Sequence, residues 1–135
     1  MRAYISVSFA KSPDLSDILN AIEAILSENN IEPFVFVRQH QFTAGQEIQM
    51  MKQALEEIDK SEILIAESSD KAIGIGIEAG YAKAMKKPIV YLRMASAEHS
   101  TTLGGISDHQ VIYRDVLDLS LQLPAVITTI RRSLS

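Results

Sequence analysis

EILIAESSDKAIGIGIEAGYAKAMKKPIVYL, residues 62–92, decides the fold. A short apolar run (62–67) reads as a central strand. A polar turn, SSDKAIG, leads to a helix over about 75–86 that ends at Lys86-Lys87, and PIVYL (88–92) reads as the next strand. A strand, a helix and a second nearly continuous apolar strand form one unit of a parallel sheet covered on both faces.

The same alternation extends in both directions. Upstream, residues 2–9 (RAYISVSF) read as a buried strand. Ser12, Pro13 and Asp14 then offer an N-cap, a first-turn proline and a first-turn acid. The helix they predict carries Leu15, Ile18, Leu19, Ile22, Ile25 and Leu26 at a 3.6-residue period and stops at Asn29-Asn30. Residues 33–37 (PFVFV) read as the second strand and 38–42 as a polar loop. Thr43-Ala44-Gly45-Gln46 has the form of a capping box, opening a helix whose apolar stripe is Ile48, Met51, Leu55 and Ile58. Downstream, a loop rich in Ser, Thr and Gly (94–108) precedes a fifth strand, QVIYRD (110–115). A last helix carries Leu123, Ile127, Ile130 and Leu134, with Pro124 near its start. The expectation is an α/β fold of three layers, with a five-stranded parallel sheet in flavodoxin-like order and helices on both faces.

Composition narrows the class. The 135 residues fit a single domain, with 47% apolar and 22% charged side chains. Thirteen Lys and Arg against 17 Asp and Glu give a net charge of −4, which argues against a nucleic-acid polymer as partner. There is no cysteine, so thiolate chemistry and Cys-based metal sites are excluded. No apolar run approaches the roughly 20 residues of a membrane span, and a soluble, cytoplasmic domain is expected.

In such sheets ligands sit beyond the carboxyl ends of the strands. Ser6, Ser8, Phe9 and Lys11 follow the first strand, while Asp70, Gly74, Gly76 and Glu78 follow the third. The spacing G-x-G-x-x-x-G at 74–80 is one residue too long for a dinucleotide fingerprint and follows the wrong strand. Walker, zinc-protease and nucleophile-elbow patterns are absent. The first strand lacks both the acidic pair of a response regulator and the glycine of a flavin loop. What remains is a glycine-flanked helix start, open to an anion, with Glu78 in its first turn. The plain alternative is that Glu78 only complements the helix dipole. His40, His99 and His109 show no metal spacing, and Met50 falls outside the apolar stripe, open to a subunit contact.

The stretch 54–93, above all GIGIEAGYAKAMKKPIVYL, resembles the nucleoside 2-deoxyribosyltransferase family, within it most closely the deoxynucleoside 5′-monophosphate N-glycosidases. AYISVSF and TTLGG…HQVIYRD fit the same template. The resemblance implies cleavage or transfer of an N-glycosidic bond in a small nucleoside or nucleotide, without a cofactor. Glu78 would attack the anomeric carbon, with Tyr4 in the pocket. It further implies a homodimer or higher homo-oligomer, with Thr102, or its neighbours Ser100 and Thr101, serving a neighbouring subunit's phosphate site. For Tyr4 a plain half-buried strand tyrosine is the alternative. The chain departs from the family pattern where an acid is replaced by Ala54, with Glu57 and Asp70 the nearest other acids. It departs again in the phosphate loop, at Val7, Ala10 and Ala72. That opens a second reading, a nucleotide-binding module without catalysis. A third is a TIR-like module, which the Ser-Phe strand end and lone helix Glu resemble and which would favour NAD.

Overall fold

The computed structural model describes residues 1–9, 14–39 and 41–135. Ala10, Lys11, Ser12, Pro13 and His40 lie outside these, and so do the expectations placed on them. Five strands form one parallel sheet: β1 (Arg2–Val7), β2 (Glu32–Val35), β3 (Ile63–Glu67), β4 (Ile89–Met94) and β5 (His109–Tyr113), in the order β2-β1-β3-β4-β5. This is the flavodoxin-like order, with its switch point between β1 and β3. The helices are α1 (Ser16–Glu28), α2 (Phe36–Gln39), α3 (Glu47–Asp59), α4 (Ile73–Ala84), α5 (Thr101–Ile106) and α6 (Val116–Leu134).

Period-2 alternation assigns each strand residue to a layer. Ala3, Ile5, Val7, Ile63, Ile65 and Tyr113 face one core, which α1 and α6 cover with residues such as Leu19, Ile22, Leu123 and Ile127. Tyr4, Leu64, Ala66 and Tyr91 face the other, covered by Phe36, Ala54, Ile58, Ile75 and Leu103 of α2 to α5.

Several boundaries differ from the sequence reading. α1 starts at Ser16, after Leu15, with no side-chain cap. The expected loop at 38–42 begins with the short helix α2, because Phe36 turns inward onto the Tyr4 ring instead of continuing β2. Gln46 does reach back to the Thr43 N–H (2.7 Å), but this half of a capping box lies one turn before α3. The inward face of α3 is Met50, Ala54, Glu57 and Ile58, leaving Ile48 88% exposed. Two overlapping stripes of equal period compete there, and sequence alone does not choose between them. The Ser/Thr/Gly loop contains α5, whose N-cap Ser100 accepts from the Leu103 N–H (3.2 Å). Pro124 lies well inside α6, which starts at Val116 behind the Asp115 cap, and Leu134 is exposed.

Two helices end in the same way. Lys87 N–H donates to Ala82 O and Lys86 N–H to Lys83 O (both 3.0 Å), with Lys86 at φ 60°. Ile31 and Asn30 bond Leu26 and Ser27 alike, with Asn30 at φ 60°. Both are Schellman ends with a left-handed residue just past the helix. Asn tolerates that conformation, whereas Lys pays a steric cost against its own Cβ. Lys86→Gly is expected to stabilise the fold by about 0.5–1 kcal/mol, read as a raised denaturant midpoint at unchanged slope.

Candidate active site

Tyr4 and Ser6 are two apart on β1, so both side chains leave the same face of the sheet. α4 crosses that face and brings Glu78 onto them from 74 residues away in sequence. The Tyr4 hydroxyl donates to Glu78 Oε2, and the Ser6 hydroxyl donates to Oε1 at 2.8 Å. Each carboxylate oxygen therefore has one donor, which fixes the plane of the group. Burial pushes the Glu78 carboxyl above the usual glutamate range, and the bonds from Tyr4 and Ser6 oppose that only in part. Tyr4 is pushed up by its own burial and by the Glu78 charge, so it stays a phenol and a donor.

α4 begins at Ile73, two residues earlier than the sequence reading placed it. Gly74 and Gly76 are thus inside its first turn and Glu78 is in the second. The dipole role expected of a first-turn acid is correspondingly weaker. Glu78 instead borders a cavity of about 270 Å³. Its walls are Val7 at the end of β1 and Phe9 beyond it, Phe36 and Val37 of α2, Phe42, the α3 residues Met50, Met51 and Ala54, and Ala72, Gly74 and Ile75 at the start of α4. Phe36 bridges the Tyr4 ring (6.1 Å between centroids) and the Phe42 ring (5.9 Å), so stacked aromatics run from beneath Glu78 towards the rim. Phe9 stands at that rim, 69% exposed.

A second cavity of about 350 Å³ lies across the start of α4, sharing Ala72 and Ile75 with the first. Gly76, Ser68, Lys71, Ser100 and Thr102 line it, so Gly74 and Gly76 open to different sides. Lys71 is paired with Glu98 at 3.0 Å.

The remaining expected residues separate. Ser8 is buried and Asp70 half-buried, but neither lines these cavities. Asp70 stays in the β3–α4 turn and is not brought to Glu78. Glu57 is bonded to the Arg2 guanidinium (2.6 Å) with Lys60 at 3.7 Å, anchoring α3 to the start of β1. Neither acid stands in for Ala54. His99 stacks on Tyr91 with 5.7 Å between ring centroids and is otherwise exposed. Among the described residues no three of His, Asp or Glu gather as a metal site. The sequence reading missed Phe36, Phe42, Met50 and Met51 as walls. It also missed Glu67, fully buried at the end of β3, whose signal was an acid closing an otherwise apolar strand.

The family profile described as nucleoside 2-deoxyribosyltransferase matches residues 3–118. The chain belongs to the nucleoside 2-deoxyribosyltransferase family. The chemistry of nucleoside 2-deoxyribosyltransferases is the cleavage or transfer of an N-glycosidic bond, and the fold is shared with several solved structures. A CMP N-glycosidase of Clostridium botulinum, BcmB, superposes with a TM-score of 0.67 at 22% identity, covering 93% of this chain and 99% of that one. A 2-deoxyribosyltransferase of Bacillus psychrosaccharolyticus gives 0.70 at 16% identity, covering 89% and 90%. A conserved protein of Enterococcus faecalis gives 0.67 at 16% identity, covering 93% and 98%. At these identities the likeness establishes the shared fold. No curated protein sequence matches the chain. Among the described residues no helix is long and apolar enough to cross a membrane.

Proposed function

We propose that this chain cleaves or transfers the N-glycosidic bond of a nucleoside or nucleoside 5′-monophosphate, with Glu78 as the nucleophile at the anomeric carbon. One observation carries the reading: both Glu78 oxygens are held by donors from β1 while the carboxylate borders a ring-walled cavity. Pinning the carboxylate restricts it to one attack geometry, and the apolar surroundings raise its energy as an anion. Tyr4 and Ser6 position it, each donating to one of its oxygens. Phe9, Phe36 and Phe42 wall the space in which a base would lie. The first turn of α4 at Gly74 directs free backbone N–H groups to the sugar side. The resemblance gives Ser100 or Thr102, which line the second cavity with Gly76, to the 5′-phosphate of a neighbouring subunit's site. Attack forms a C1′–O bond as the C1′–N bond breaks, and the base departs with that electron pair and takes a proton from solvent; water or a second base then takes the sugar from Glu78. Base release from a panel of nucleosides and their monophosphates, wild type against Glu78→Ala, tests the reading, and absence of release from every substrate would sink it.

Ala54 on the cavity wall favours one alternative, a nucleotide-binding module without turnover. It requires saturable nucleotide binding that survives Glu78→Ala with no base released from wild type.

The same reading includes a second copy of the chain over α4. Ile73 and Ile77 are 84% and 51% exposed and lie one turn apart. Beside them Gly76 and Gly80 leave open space where side chains would stand, which lets another helix approach closely. Sedimentation is expected to give a dimer or larger species, and Ile73→Asp to shift it to monomer.

A further inference from the structure

Apart from Glu78, the described residues that line its cavity are all apolar, Phe9, Phe36, Phe42, Met50 and Ala54 among them. The two groups bonded to Glu78, Tyr4 and Ser6, are neutral, and among the described residues it has no ion pair. Among the described residues, this carboxylate lacks the opposite charge that normally accompanies burial. Ring faces and thioethers add attraction for a soft cation, because the face of an aromatic ring is its negative side. The walls thus make a receptor for a flat positive ring.

The leaving group leads to the same chemistry. When a neutral base departs, the C1′–N electron pair becomes a negative charge on nitrogen unless an acid protonates it. The Tyr4 proton is already donated to Glu78, and on the α3 wall stands the methyl group of Ala54. A base that is already a cation departs as a neutral molecule and needs no acid.

We propose that the preferred substrate is an N-glycoside of a permanently cationic heterocycle, of the pyridinium or N7-alkylpurinium class. The proposal rests on the reading of Glu78 as nucleophile. The electron pair of the breaking C1′–N bond neutralises the ring nitrogen as a Glu78 oxygen bonds C1′. Water then attacks C1′, the carboxylate leaves, and one proton passes to solvent, so a cationic glycoside and water yield a neutral base, a free sugar and a proton. The cation also pairs with Glu78 before reaction and favours its ionised, nucleophilic form.

Matched pairs test this. Base release is measured from 7-methylguanosine against guanosine and from nicotinamide riboside against cytidine, with their 5′-monophosphates. Each rate is divided by the uncatalysed rate of the same compound, which removes the intrinsic lability of cationic glycosides. The enhancement is expected to be about 10²–10⁴-fold greater for the cationic members, the size of a missing general acid. Ala54→Asp is expected to narrow that gap by raising turnover of the neutral members. Binding gives a separate readout: N1-methylnicotinamide is expected to bind at least about tenfold more tightly than nicotinamide, a preference lost in Glu78→Gln, as befits a desolvated ion pair. Equal or greater enhancement for neutral substrates, or equal binding of the two probes, overturns the cationic preference while leaving Glu78 catalysis standing. Absence of release from both classes overturns the proposed function itself.

Discussion

Glu78→Ala is expected to lower kcat for base release by at least about 10³-fold while leaving the fold intact, the order of loss seen when a positioned catalytic group is removed. Glu78→Gln should do nearly the same. The amide oxygen still accepts from Tyr4 or Ser6, but an amide does not form a glycosyl ester. Two further readouts separate catalysis from structure. Thermal stability should hold or rise in Glu78→Gln, because a carboxyl whose affinity for protons is raised by burial is one the fold holds at a cost. The activity of wild type should climb with pH through the raised Glu78 value, placing the acid limb above the ordinary glutamate value of 4.5. Tyr4→Phe removes one of the two donors. It should lower kcat more than it raises KM and move that limb further up, since the bond from Tyr4 favours the ionised form. A Glu78→Ala protein with wild-type turnover would refute the assignment.

The architecture was legible because five nearly uninterrupted apolar runs alternate with stripes of period 3.6, and that pattern has few parallel-sheet solutions. Glu78 was legible for a different reason, a local spacing of glycines and one acid that resembles a family helix. The environment that gives Glu78 its character was not. Its partners Tyr4 and Ser6 lie on β1, and the aromatic floor comes from Phe36 and Phe42. No local periodicity links residues so far apart. Phe36 alternates with Phe34 as a strand residue would, so its turn into α2 is set by the Tyr4 ring it meets. α2 and α5, of four and six residues, are too short for a periodic stripe. Glu57 misled for a related reason: an acid near the expected position has its charge taken by Arg2, a partner that sequence spacing does not reveal.

Glu67→Ala is expected to be the most destabilising polar substitution among the described residues. The carboxylate is fully buried on the face opposite Glu78. It accepts from the Ser69 N–H at 2.7 Å, from the Ser69 hydroxyl at 3.0 Å and from the Tyr113 hydroxyl. Ser69 Oγ in turn accepts from the Met94 N–H at 2.9 Å, so one side chain ties the ends of β3, β4 and β5 and the turn leading into α4. Alanine would leave the Tyr113 hydroxyl and the Ser69 N–H without acceptors, at a cost of about 2–4 kcal/mol. The midpoint of thermal unfolding should fall by roughly 10 °C. Glu67→Gln should cost much less. Its oxygen still serves Ser69, and its amide donates to a Tyr113 hydroxyl that turns to accept. The two variants also separate by pH. Burial raises the Glu67 carboxyl above its ordinary value of 4.5, and its three hydrogen bonds offset this only in part. A raised value means that the folded protein binds the proton more tightly than the unfolded chain. The stability from this group is therefore complete below pH 4.5 and is lost as pH rises through the raised value, beyond which the loss is constant. Glu78 acts in the same sense. The exposed Glu47 and the half-buried Asp118 have lowered values and act oppositely, losing stability as pH falls. The wild-type melting curve should therefore decline from mildly acidic towards neutral pH. Glu67→Gln should flatten part of that decline and Glu67→Gln with Glu78→Gln nearly all of it. A wild-type stability that rises across the same interval would show that Glu67 is held as a favourable anion, and the ordering of its three donors would then outweigh its burial.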